Sequence, residues 1–82
     1  MIEVESHYIE FQLCGQTAKT EKWQVLNKKH QTILGRIEWY WAWTQYCFFP
    51  SPNCIFNITC LEDISKAIKQ LNSQSKKGKS NE

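Results

Sequence analysis

The chain has 82 residues, a formal net charge of +2, 41% hydrophobic residues and 13% aromatic ones. A chain this short buries only about 60% of its unfolded surface, which excludes a multi-domain architecture and leaves a marginal core for the large aromatics to fill. Residues 1–72 are formally neutral, with seven basic and seven acidic side chains, and the excess charge lies in residues 73–82; that balance argues against non-specific nucleic-acid binding, which depends on Lys and Arg neutralising phosphates.

The first predicted strand is His7 to Leu13, where Ile9, Phe11 and Leu13 alternate with Tyr8, Glu10 and Gln12. Cys14-Gly15-Gln16-Thr17 breaks the pattern and predicts a turn. The second strand is Lys22 to Asn27, with Trp23 and Val25 on one face, and the polar run to Gln31 is a hairpin loop. The third strand, Thr32 to Tyr40, places Ile33, Gly35, Ile37 and Trp39 on one face and Leu34, Arg36, Glu38 and Tyr40 on the other. Gly35 weakens a strand and marks a bulge or a close approach by a neighbour such as a large aromatic. Residues 40–43 hold no Gly, Pro, Asn or Asp, so a turn there is set by packing. Thr44 to Phe49 is the fourth strand, ended by Pro50-Ser51-Pro52-Asn53, and residues 54–57 leave room for a short fifth.

A helix follows. Thr59 and Glu62 match a capping box, Asp63 adds negative charge in the first turn, and Leu61, Ile64, Ile68 and Leu71 form one apolar stripe. Asn72 and Ser73 close it, and residues 73–82 have the composition of a disordered basic tail. The expected fold is α+β: an antiparallel four-stranded β-meander, with one C-terminal helix packed on one face, in a single domain of residues 1–72.

The candidate chemistry is sparse. Cys14, Cys47, Cys54 and Cys60 lack the close pairing of structural zinc ligands, so no metal is expected. His7 and His30 are not brought to any cysteine by the pattern, and Glu38 reads as the ion-pair partner of Arg36 rather than as a general base. The three glycines are isolated, so there is no phosphate loop and no cofactor is expected. The chain therefore reads as a non-enzyme. Acidic residues stand where a signal peptide would carry its basic segment, and no run approaches the ~20 apolar residues of a membrane span. The expected location is cytoplasmic, with reduced thiols and no membrane contact.

One feature exceeds what a core requires. Trp39, Tyr40, Trp41, Trp43, Tyr46, Phe48 and Phe49 are seven of the chain's eleven aromatics, within eleven residues. One helix covers one sheet face, so part of this run is expected to remain on the other. Arg36, Tyr40, Trp41, Trp43, Gln45 and Tyr46 are the candidate binding residues, because exposed aromatics with an adjacent arginine make interaction sites. A protein partner, or a second copy of the chain, fits a neutral body best. The alternative is single-stranded nucleic acid stacked on the aromatics, which calls for more cations than Arg36 alone.

Leu34-Gly35-Arg36-Ile37-Glu38-Trp39-Tyr40 through Tyr46, Phe48 and Pro50, with Cys60, Leu61 and Ile64 beyond, resembles a family of small uncharacterised proteins from bacteria, phages and other mobile elements. These share an L-G-x-I-x-W-Y-x-x-W-R-x-Y-x-F-x-P core and a C-L-x-x-I helix, and the resemblance spans about residues 22–71. It implies no assigned activity. Its company implies a small accessory factor, such as an inhibitor of a host defence system. The family usually has Arg where this chain has Thr44, so a ligand site built on that arginine is altered here.

Overall fold

A computed structural model describes residues 2–77 of the chain, with side chains to Gln74. Four strands, β1 (Ile9–Gln16), β2 (Glu21–Asn27), β3 (Ile33–Tyr40) and β4 (Gln45–Pro50), precede one helix, α1 (Ile58–Lys77). The strands form a single antiparallel sheet in the order β1-β2-β3-β4, and α1 lies across one face, as the sequence pattern predicts.

The period-two pattern decides which side chains meet the helix. Ile9, Trp23, Val25, Ile37 and Tyr46 point to the covered face and pack against Ile64, Ala67 and Leu71 of α1. The register Trp23↔Ile37 and Ile37↔Phe48 lines up these inward residues across three strands. Phe48 closes one end of the core and stands edge-on to Phe56, with ring centroids 5.4 Å apart.

Several boundaries differ from those predicted. β1 does not stop at Leu13. A bulge between Leu13 and Gly15 absorbs Cys14, and pairing continues through Gly15↔Lys22 and Gln16↔Glu21. The turn therefore falls at residues 17–20, where the Thr17 hydroxyl accepts the N–H groups of Lys19 (3.2 Å) and Thr20 (3.0 Å). Residues 54–57 form no strand; Ile55 is 92% exposed, and the chain enters α1 directly.

The helix begins earlier and runs longer than predicted. Its cap is Asn57, whose Oδ1 accepts the Cys60 N–H at 2.9 Å, and not Thr59. Starting at Ile58 moves Glu62 and Asp63 out of the first turn, which holds no acidic residue. Leu61 is 49% exposed, outside the expected stripe, while Ile64, Ala67 and Leu71 make the buried one. The helix continues to Lys77, past the expected stop at Asn72 and Ser73. Residues 78–82 of the expected tail lie outside the described residues.

Asn72 has a different task. Its Oδ1 accepts the Tyr46 N–H at 2.8 Å, from the outer edge of β4. This bond ties the sheet edge to the helix at a half-buried donor. Asn72→Ala is expected to lower stability by about 1–2 kcal/mol, because the strand N–H loses its acceptor. A thermal melt should then fall by roughly 5–10 °C, and Asn72→Asp, which keeps an acceptor, should fall by much less.

Candidate functional site

The turn between β3 and β4 carries residues 41–44 and divides the aromatic run between the two faces of the sheet. It closes with the Trp43 N–H donating to the Tyr40 carbonyl (3.2 Å) and the Thr44 N–H to the Trp41 carbonyl (3.3 Å). Thr44 holds φ 47°, the left-handed region that glycine or asparagine would normally fill. A β-branched residue there is backbone strain in a turn held by its neighbours rather than by turn chemistry.

The first aromatic group lies on the covered face. Trp39 stands edge to face with Tyr46 (centroids 5.3 Å) and with Trp41 (5.7 Å). Tyr46 is only 4% exposed. Its hydroxyl oxygen accepts the Glu21 N–H at 2.9 Å, which fastens β4 to the start of β2. Burial pushes this hydroxyl above the usual phenol range, against the lowering effect of the Glu21 N–H. The expectation that Tyr46 edges an exposed patch is therefore corrected. The pairing Trp39↔Tyr46 puts it on the same face as Ile37 and Trp39, which the helix covers.

The second group lies on the outer face. Tyr40 meets Trp43 (5.2 Å) and Phe49 (5.9 Å), both nearly perpendicular to it. The Arg36 guanidinium carbon sits 5.4 Å from the Phe49 ring centroid, and Arg36 Nε bonds Glu38 Oε2, the ion pair that the sequence spacing predicts. Gln45 is exposed and pairs with Tyr40 at the head of β4. The cross-strand pairs Arg36↔Phe49, Glu38↔Cys47 and Tyr40↔Gln45 thus form one continuous surface. Burial raises the Cys47 thiol, the central sulfur of that surface, away from the thiolate form that a nucleophile needs.

Of the six residues expected from sequence, Arg36, Tyr40, Trp43 and Gln45 come together on the outer face. Trp41 sits on the same turn but leans toward Trp39, and Tyr46 belongs to the core. Trp41 and Trp43 are 69% and 64% exposed. Phe49 is the residue that sequence reasoning missed. Its signal was its position opposite Arg36, which becomes readable once the four-residue turn fixes the β3–β4 register. Among the described residues, no group of three or more His, Cys, Asp or Glu is placed to hold a metal ion, and no helix is long and apolar enough to cross a membrane.

No family model matches the chain, and no solved structure matches it. An uncharacterized 9.3 kDa protein of Acholeplasma phage L2 is 38% identical over 53 residues, a stretch that covers 65% of this chain and 68% of the phage protein.

Proposed function

We propose that this chain, which belongs to the same family as the Acholeplasma phage L2 protein, is a non-enzymatic module that docks a protein partner on its outer aromatic face. The observation that carries this reading is the cluster of Tyr40, Trp43 and Phe49 with Arg36 stacked on it, on the face that α1 leaves uncovered. Trp, Tyr and Arg are enriched at interface hot spots, since each buries a large area and keeps a polar group for a hydrogen bond. The strained Thr44 supports the same reading, since backbone strain is retained where a turn must present particular side chains. Within this reading the chain is an accessory factor of a phage or mobile element, and an inhibitor of a host defence system is the kind of role that suits a small binding module.

A protein suits the surface better than a nucleic acid. The one arginine on the face already shares its charge with Glu38, so few cations remain to neutralise phosphates. The test is recovery of specific host proteins by the tagged chain, alongside sedimentation to detect self-association. Trp43→Ala and Tyr40→Ala are expected to weaken the partner or self contact at least tenfold, with unchanged circular dichroism. Equal retention by wild type and both variants would overturn the reading. Saturable, salt-dependent binding of single-stranded DNA or RNA, lost in the same variants, would replace it with the nucleic-acid alternative.

A further inference from the structure

The outer face of the sheet carries charges in the order that a surface needs to meet itself. Strand alternation puts Glu10, Lys22, Arg36 and Glu38 on it, two acids and two bases. The cross-strand row Gln12↔Gln24↔Arg36↔Phe49 fixes their places. The face is formally neutral, so an identical face is not repelled by it. Resting on the reading that a protein docks here, we propose that the docked protein is a second copy of this chain, turned about a two-fold axis that crosses the strands at the level of Ile37.

In a two-fold contact both copies use the same patch, so the patch must be its own complement. Arg36 and Glu38 stand one residue to either side of Ile37 on β3, and both reach the outer face. An axis at that level lays Arg36 of one copy over Glu38 of the other, and does so twice. It also lays β3 over β3 and β4 over β4. Phe49, opposite Arg36, then comes over Cys47, opposite Glu38, and a half-buried thiol is a soft partner for an aromatic ring. The pair within each chain leaves capacity for the second copy. One bond joins Arg36 Nε to Glu38 Oε2. Among the described residues, the two amino groups of the guanidinium and the second carboxylate oxygen make no further hydrogen bond. Any other protein would have to supply the same two charges in the same order, whereas the chain already has them.

The size agrees. Four strands of six to eight residues make a face of roughly 19 Å by 20–26 Å. Two such faces cover about 800–1,000 Å² in flat projection, and side-chain relief adds to that; specific interfaces begin near roughly 1,000 Å². The aromatics along β3 and β4 form the apolar part, and Gln12 and Gln24 form a polar rim.

The test is sedimentation equilibrium of the full-length chain from micromolar to millimolar concentration, where a reversible dimer is expected. Arg36→Glu and Glu38→Arg each set four like charges against one another across the axis, and each should weaken the dimer at least tenfold. An equimolar mixture of the two variants pairs acids with bases again and should recover the wild-type affinity to within about threefold. A second readout needs no variant. On dilution of the wild-type chain, the amide NMR signals of residues 36, 38, 47 and 49 should shift, while those of Lys66 and Lys69, exposed on α1, stay in place. A chain monomeric throughout the range, a dimer unaffected by the single reversals, no recovery in the mixture, or shifts confined to α1 would each overturn the proposal. A monomeric chain that retains a host protein through Tyr40 and Trp43 would overturn the second copy alone and leave the outer-face reading standing. A monomeric chain that binds single-stranded DNA through those residues would overturn both, as would a dimer indifferent to the reversals and to Tyr40→Ala and Trp43→Ala.

Discussion

Tyr46→Ala is expected to remove most of the protein's stability, while Trp41→Ala and Trp43→Ala leave it folded. Tyr46 is buried among Ile37, Trp23 and Leu71, and its backbone and hydroxyl each hold one hydrogen bond to another element. Truncating a buried aromatic costs about 3–5 kcal/mol. A small domain has only about 5 kcal/mol or somewhat more in total. The melting temperature should fall by roughly 15 °C or more. The two tryptophans are mostly exposed, so their removal takes little area out of the core and should move the melt by only a few degrees. Tyr46→Phe keeps the ring and isolates the hydroxyl. It should cost about 1–2 kcal/mol, since the Glu21 N–H loses its acceptor.

The same hydroxyl gives the protein an alkaline limit. Its proton is held more tightly in the folded state than in the unfolded one, because burial disfavours the phenolate. Above the ordinary phenol range the unfolded chain therefore releases this proton first, and stability falls as pH rises through the folded value. Below that range the contribution is fully present. Urea melts taken from neutral to strongly alkaline pH should show the decline in wild type and a flatter limb in Tyr46→Phe. Identical limbs in the two proteins would contradict this assignment.

Gly35→Ala is the second substitution expected to be severe. A Cβ at Gly35 would lie 2.6 Å from the Phe49 carbonyl oxygen and 2.7 Å from two carbons of the Phe48 ring. Neither neighbour can give way at low cost. The carbonyl is strand backbone, and the Phe48 ring is packed against Phe56. Overpacking of this kind costs about 1–3 kcal/mol and more when backbone must shift, so a loss of about 3 kcal/mol is expected by chemical denaturation. Gly15→Ala is the control. A Cβ there would meet Lys22 Cβ at 3.5 Å, an ordinary contact, and Gly15 has no positive φ. That substitution should be neutral or slightly stabilising, because alanine loses less backbone freedom on folding. Equal effects at the two glycines would show that close approach by Phe48 is not what Gly35 provides.

The sequence was informative where a physical rule acts locally. Strand alternation placed Trp23 with Val25 on one face of the second strand and Ile37 with Trp39 on one face of the third, and the close approach at Gly35 was readable from a glycine in an otherwise well-patterned strand. It misled where two local signals competed. Thr59 and Glu62 formed a capping box on paper, but Asn57 lies two residues earlier and its Oδ1 takes the Cys60 N–H. Leu61 falls at the margin of the stripe because the buried face is centred on Ile64, Ala67 and Leu71. The misplacement of Tyr46 has a different cause. Both faces of the run carry aromatics, so composition could not say which face the helix covers. The answer depends on the number of residues in the β3–β4 turn, and a turn without Gly, Pro, Asn or Asp gives no hint of its length. With four turn residues, Tyr46 faces the core and Phe49 the solvent side; a turn one residue longer or shorter would reverse them.

The bond from Tyr46 N–H to Asn72 also bears on how the molecule avoids edge-to-edge pairing with its own kind. β4 is an edge strand, and its outward positions are 46, 48 and 50, since Ser51 N–H turns inward to the Leu34 carbonyl. Asn72 occupies the first of these donors and Pro50 has none, which leaves Phe48 as the single N–H that an incoming strand could use. On the other edge, the bulge at Cys14 interrupts β1, and the Ile9 N–H is taken by the Ser6 hydroxyl at 3.2 Å. Interrupted and pre-occupied edges resist sheet-to-sheet growth. Backbone pairing with a strand of another molecule is thereby disfavoured, although Trp41 and Trp43 stand exposed.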